Sequence, residues 1–561
     1  MNDQPNLRQF LDEMSNFSEE APAAKKTASA PALSAIGQVV EIAGSGSQIR
    51  LDAATLASLQ SHSDPSVAMS GQVGSQVKMI VDSNWLIANV RTMRAGDAGE
   101  VIAHVDFLGE GSCDASGTLS QFRRGVTRYP IPGSAVLPVS TDDLRAVFAA
   151  SDEPHIEIGT VYPTDDIRGA LYVDPMLSKH FAILGSTGTG KSTSVALILH
   201  RISQLSPEGH IVMIDPHGEY SAAFKGCGEL FNVDNLQLPY WLMNFEEHCE
   251  VLLTTHGAER QRDADILAKC LLTARTKGKD LSTLGKVTVD SPIPYLLTDL
   301  NTVLVNEMGK LDRAGDTLPF QRLKTKLDEL RADPRYTFMF SGMLVSDSMG
   351  SFLAKLFRLP SQGKPISIVD VSGVPSEVTS VVVSVLARMV FDYAIWSRTE
   401  AQRPLLLVCE EAHRYVPKDE HAENGQSVRR ILERIAKEGR KYGVSLGLIT
   451  QRPSDLAEGV LSQCGTIVSM RLNNDRDQAC VRAAMPEGAR GFLDAIPALR
   501  NRECIVCGEG VAIPIRVRFD DLEPEKRPAS SDPSFARLWR ETGDEEGIIQ
   551  RTIKRWRGHG R

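Results

Sequence analysis

Residues Gly185-Ser186-Thr187-Gly188-Thr189-Gly190-Lys191-Ser192 constrain this 561-residue chain more than any other stretch. They follow the apolar run Phe181–Leu184 and lead into a helical pattern, Thr193–Arg201, so the glycines, the lysine and the hydroxyl fall where a strand turns into a helix. Such a loop curls its backbone N–H groups around phosphate oxygens and adds the partial positive charge of a helix N-terminus. Residues Gly185 to Thr193 are therefore read as a nucleotide phosphate loop. Lys191 is assigned to the β- and γ-phosphates and the Ser192 hydroxyl to Mg²⁺.

Hydrolysis also needs a carboxylate on the cation and a base for water. Leu405–Cys409 is apolar and runs into Glu410-Glu411-Ala412-His413, which puts two acids at a strand's carboxyl end, where open α/β sheets hold ligands. Glu410 is assigned to the Mg²⁺ shell and Glu411 to the attacking water. The alternative is a pair of glutamates starting a solvated helix. Ser445–Thr450 ends in Gln451, a candidate for orienting water or sensing the γ-phosphate, with a structural strand-end hydrogen bond as the alternative. Arg440, in Gly439-Arg440-Lys441-Tyr442-Gly443, is read either as an arginine finger reaching a neighbouring subunit's nucleotide or as the basic end of a solvated helix. Asp215-Pro216-His217-Gly218-Glu219-Tyr220 closes another apolar run, and its chemistry is not derivable from residue types alone.

Alternation of apolar strands with helical stretches from about residue 151 predicts an α/β fold with a parallel-type sheet covered by helices. Its expected strands are Phe181–Leu184, Ile211–Asp215, Ile366–Val371, Leu405–Cys409, Ser445–Thr450 and Thr466–Arg471, followed by a hairpin of Glu503–Val506 and Val511–Val517. Before the core, short glycine-punctuated strands (Gln38–Ile42, Gln48–Leu51, Val77–Val81, Trp85–Met93, Val101–Leu108) predict a small N-terminal β-barrel ending near Pro130–Gly133. The expected division is a disordered tail over 1–34, a barrel over 35–150, a core over 151–221 and 366–520, a helical insertion over 222–365 and a C-terminal extension over 521–561.

With 62 Lys+Arg against 71 Asp+Glu the formal charge is −9, which argues against a general nucleic-acid coat and leaves open a local basic surface. The nine cysteines are scattered, several in apolar runs, and read as reduced thiols filling a core. Cys504 and Cys507 have CxxC spacing without a second pair beside them, a weak metal signal. No run approaches 18 consecutive apolar residues and no basic stretch leads into an apolar one at Met1, so a cytoplasmic protein without stable membrane insertion is expected.

Taken in order, His180–Ser192, Asp215–Tyr220, Glu410–His413, Gly439–Gly443 and Thr450-Gln451-Arg452-Pro453 resemble the HerA branch of the HerA/FtsK hexameric ATPases, over most of residues 35 to 520. The resemblance implies a homohexamer that threads double-stranded DNA through its channel using ATP hydrolysed between subunits. It implies Lys191, Ser192, Glu410, Glu411 and Gln451 in the site and Arg440 as the trans-acting finger. Relatives often have Asp where this chain has Glu410, and Arg where it has Lys179, a candidate second trans contact that keeps the charge without the planar fork. The resemblance also implies a RecA-like P-loop core and a barrel of the kind shared with ATP-synthase subunits. Such ATPases commonly work beside a nuclease of the NurA type in DNA end processing, or another effector in anti-phage defence.

For DNA contact, Arg430 and Arg434 lie one turn apart on a helical segment, and Lys418 and His421 lie in the loop before it. The alternative is a surface helix stapled by pairs such as Arg430–Glu433 or Glu433–Lys437. Two other functions remain open: a scaffold ring that assembles and activates an effector, and the ATPase of a conjugation or secretion system.

Overall fold

The computed structural model describes residues 34–97, 99–113, 118–280, 282, 285–310, 317–341, 346–419, 425–485, 490–529, 535–541, 543 and 545–557. The expected tail before Ser34, His421 and the terminal Arg561 lie outside these residues.

The first sheet contains β1 (Gly37–Ile42), β2 (Gly46–Asp52), β3 (Gln76–Val81), β4 (Asn84–Ala95), β5 (Glu100–Cys113), β6 (Leu119–Arg124) and β7 (Ala135–Pro138). The order β2-β1-β7-β3-β4-β5-β6, with β2 also paired to β5, closes six strands into a barrel. Val39, Ile49, Leu51, Val77, Met79, Ala88, Val90, Ala103, Val105 and Val136 fill it, the inward half of an alternating pattern. The turn at Pro130–Gly133 is not the barrel's last element: Gly133 takes φ of 92° and the chain re-enters as β7, which pairs with β1 and β3.

The second sheet carries β8 (His155–Val161), β9 (Arg168–Tyr172), β10 (Phe181–Leu184), β11 (Ile211–Asp215), β12 (Gly228–Phe231), β13 (Ile366–Asp370), β14 (Leu405–Cys409), β15 (Val444–Thr450), β16 (Thr466–Met470), β17 (Glu503–Gly508) and β18 (Ile515–Phe519). Its order is β12-β13-β11-β14-β15-β10-β16-β17-β18-β8-β9. From β12 to β16 neighbours are parallel, and from β16 to β9 antiparallel. The inner parallel strands are mostly apolar because helices cover both faces, and Phe181–Leu184 and Leu405–Cys409 are wholly buried.

Within the interval read as helical, β12 adds a short edge strand, and beyond it helices Phe245–Leu252, Gly257–Thr276, Leu297–Gly309 and Leu318–Ala332 pack on one another. Leu323, Leu327 and Leu330 form the buried face of the last of these. Helix Ser376–Trp396 is long and apolar enough by length and composition to cross a membrane, which strict counting of consecutive apolar residues overlooks. Here Val382, Val385, Leu386, Met389 and Val390 are buried in the core of the chain, which accounts for that composition.

Candidate nucleotide site

The phosphate loop leaves β10 at the middle of the eleven-stranded sheet, and its helix, Lys191–Leu205, starts with Gly190 as N-cap. Gly188 and Gly190 have φ of 79° and 93°, left-handed conformations that an L side chain resists, which is why glycines occupy these two points of the curl. Ser186 N donates to Arg471 O at 2.9 Å and Thr189 Oγ1 to Ser186 O at 2.7 Å, so the loop's shape is set by the protein itself.

Glu410 and Glu411 follow β14, two strands from β10, and Gln451 follows β15 between them. Lys191 Nζ lies 2.5 Å from Glu410 Oε1 and 3.5 Å from Glu411 Oε1, with all three side chains buried. Burial alone would lower the Lys191 pKa, but the two carboxylates outweigh it and hold the ammonium above its ordinary value. Burial pushes the Glu410 carboxyl up against the opposing pull of Lys191. One lysine thus serves two buried acids, and a second positive charge fits there electrostatically.

Gln451 Oε1 accepts from Thr187 Oγ1 at 2.5 Å, and its amide donates to Glu411 Oε2 at 3.3 Å. The glutamine therefore ties the phosphate loop to the second acid. Glu411 itself sits at φ 51°, a strained conformation for a non-glycine residue and one met at functional turns. His413 Nδ1 is 3.3 Å from Glu411 Oε2 and 2.9 Å from Thr450 Oγ1, and burial holds the imidazole pKa below its usual value.

The Asp215–Tyr220 run turns tightly beside this cluster. Asp215 accepts from the backbone N–H groups of His217, Gly218 and Tyr220 at 3.1, 2.9 and 2.9 Å. The turn presents two contacts that the sequence did not reveal: Ser192 Oγ donates to Glu219 Oε2 at 3.3 Å, and Tyr220 OH donates to Glu410 Oε2 at 3.2 Å. The signal for both was the acid- and glycine-bearing run at a strand end. The hydroxyl of Ser192 with the carboxylate of Glu410 is a hard oxygen set that fits Mg²⁺, a cation that keeps several waters and shares phosphate oxygens.

Arg440 is not brought to this cluster. It is exposed and precedes β15, whereas Gln451 follows the same seven-residue strand, about 23 Å away at the usual rise. Lys179 is at that same amino end, ion-paired with Glu509. Nearby, a cavity of about 940 Å³ is lined by Leu177, His210, Arg403, Pro404, Arg440 and Ser445. The three candidate DNA contacts are each engaged: Arg430 with Glu246 at 2.6 Å, Lys418 with Glu458 at 2.6 Å, and Arg434 with Glu438 at 3.4 Å and over the ring of Phe391. Glu433 pairs with Arg429 at 2.9 Å and Lys437 at 3.8 Å. Cys504 and Cys507 are both buried in β17, burial pushes the Cys507 thiol up to about 12, and no metal-ligand group of three is found among the described residues.

A phosphate loop on β10, acids on β14 and an intervening β15 ending in a polar residue define a RecA-like P-loop NTPase. Residues 156–390 match the family model described as the central domain of helicase HerA, and the chain is an ATP-hydrolysing P-loop enzyme similar to the HerA-type ATPases. It is 25% identical over 518 residues to the DNA double-strand break repair helicase HerA of Pyrococcus furiosus, covering 85% of this chain and 89% of that one. The like-named protein of Sulfolobus acidocaldarius is 25% identical over 432 residues, covering 76% and 80% respectively. Among solved structures, VirB4 of Thermoanaerobacter pseudethanolicus aligns with a TM-score of 0.48 at 16% identity, over 67% of this chain and 99% of that chain.

Proposed function

We propose that this chain is a cytoplasmic, homohexameric, Mg²⁺-dependent ATPase that translocates double-stranded DNA and works with a partner nuclease or other effector, in end processing or anti-phage defence. The observation that carries the reading is the buried cluster of Lys191, Glu410 and Glu411 joined through Gln451 to Thr187 of the phosphate loop. The relatives named as DNA double-strand break repair helicases give the direction of the work.

In this mechanism Lys191 exchanges Glu410 for the β- and γ-phosphates, and Ser192 and Glu410 hold the cation. When bound, Mg²⁺ neutralises phosphate charge and orients the terminal phosphate. Glu411, relieved of the lysine, accepts the proton of the attacking water, and Gln451 orients that water from the loop side. Arg440 completes the site of the next subunit, since its own phosphate loop is a strand-length away. Arg430, Arg434 and Lys418 exchange their surface carboxylates for DNA phosphates in the channel.

The deciding experiment is ATP hydrolysis by the purified protein with and without linear double-stranded DNA, over a salt series, beside Glu411→Gln. Stimulation by DNA that fades as salt rises and is absent in the variant is the expected result. Hydrolysis indifferent to DNA would overturn the translocase reading in favour of a scaffold or secretion ATPase.

A further inference from the structure

We infer that the Asp215–Tyr220 turn is the positioning device of the cation shell, with Tyr220 fixing Glu410 and Glu219 accepting the Ser192 O–H. The inference rests on the reading that Ser192 and Glu410 hold the cation.

The turn is placed by the sheet. Strand β11 pairs with β14 up to Ile214 opposite Cys409, and Glu410 N donates to Ile214 O at 3.2 Å, so the chain leaves β11 alongside the first acid. Asp215, fully buried, gathers three backbone N–H groups of the turn. On the other side Ala529 N donates to Glu219 O at 2.8 Å, so the C-terminal extension clamps the turn from outside. Gly218 has φ of 70°, and a Cβ there would come within 3.0 Å of an Asp370 carboxylate oxygen. This much restraint is more than a connection between two strands needs, and it fixes two side chains that both face cation ligands.

The two oxygens of Glu410 have different partners. Oε1 is 2.5 Å from Lys191 Nζ, and Oε2 is 3.2 Å from the hydroxyl of Tyr220, a residue with no exposed surface. When Lys191 turns to a phosphate, Oε1 is released toward the cation while Oε2 stays held, so the carboxylate does not swing. Ser192 has the complementary problem. A hydroxyl that gives a lone pair to a cation must direct its hydrogen to another acceptor, and Glu219 Oε2 at 3.3 Å is that acceptor. Outer partners of this kind typically alter metal affinity or activity ten- to a hundredfold.

The test uses the full-length protein with a non-hydrolysable ATP analogue, and follows Mn²⁺ binding by electron paramagnetic resonance. Tyr220→Phe keeps the ring and removes only the hydroxyl, and Glu219→Gln keeps an acceptor that Glu219→Ala removes. Tyr220→Phe and Glu219→Ala should each weaken Mn²⁺ binding about tenfold or more, with Glu219→Gln affected less and nucleotide binding in EDTA unchanged in all three. Wild-type Mn²⁺ affinity in Tyr220→Phe would overturn the inference. So would a parallel loss of nucleotide binding in EDTA, because that marks a purely structural role. Failure of the underlying reading is distinct: Mn²⁺ binding would then be insensitive to Ser192→Ala and Glu410→Gln.

Discussion

At the carboxyl ends of the parallel strands, Lys191, Glu410, Glu411, Gln451 and Thr187 satisfy one another within a single chain. At the amino ends of the same strands Arg440 is exposed, and the buried Ser445 hydroxyl lining the adjacent cavity lacks a hydrogen-bond partner. The contrast teaches a division of labour. One end gathers the groups proposed for chemistry; the other exposes an arginine a strand's length from that cluster, as the proposed trans contact requires. Charge at the first end is bound into a network, while at the second Lys179 pairs with Glu509 and Arg440 is exposed.

The largest test of that contrast is Arg440→Ala. It should cut turnover in the assembled ring by about a thousandfold with nucleotide binding retained. A mixture with Glu411→Gln should regain activity, because a Glu411→Gln subunit still offers Arg440 to a neighbour whose Glu411 is intact. Normal turnover in rings made only of Arg440→Ala would make the amino end a surface and nothing more. Glu411→Gln alone should lose about a hundredfold or more in turnover, read with saturating ATP, and keep its affinity for nucleotide.

A smaller effect separates the ends by pH. Burial holds His180, at the amino end, and His248, in the helical region, below the ordinary histidine value of 6.5, His248 at about 3. Each imidazole therefore takes up its proton at lower pH in the folded chain than in the unfolded one, where protonation sets in around pH 6.5. Stability is therefore full above that pH and falls as pH drops through it, by at most about 1.4 kcal/mol per pH unit for each histidine. His180→Gln should flatten the acid limb of a melting-temperature profile, and an unchanged limb would count against its buried neutral state. Smallest is Arg430→Ala: its pair with Glu246 is exposed, so folding stability should change by less than about 1 kcal/mol. The logarithmic salt slope of DNA binding should fall by about one unit if the arginine meets a phosphate.

Much of the parallel core could be read from residues because its strands are apolar and its loops carry chemistry in fixed spacing. Phe181–Leu184, Ile211–Asp215 and Leu405–Cys409 have the same bounds in the sequence reading and the structure. Strand β12, Gly228–Phe231, escaped notice because it is a short edge with Glu229 and Leu230 exposed, and it lacks the apolar continuity of its neighbours. The β8–β18 pairing joins Val161 to Val517, a partnership that no local pattern announces. Within the candidate site, the spacing of glycines and acids singled out Lys191, Glu410 and Glu411, and the fold brings both carboxylates within 3.5 Å of the lysine. The contact of Tyr220 with Glu410 spans 190 residues of sequence, and it depends on a turn whose shape is set by backbone bonds to Asp215. Side-chain type says little where geometry is set by the main chain.

His180 has a further consequence. It has φ of 59°, accepts from Leu446 N through Nδ1 at 3.0 Å, and points Nε2 at Ala436 O at 3.1 Å. The strand it starts, β10, is four residues long, about 13 Å, and ends at the phosphate loop. Ala436 belongs to helix Gln426–Glu438, which runs directly into Gly439 and Arg440. A shift of the loop must either carry that helix with it or break one of two buried hydrogen bonds. In the ring proposed above, β10 would be a short push-rod that links what one subunit holds in its phosphate loop to the arginine it would offer next door.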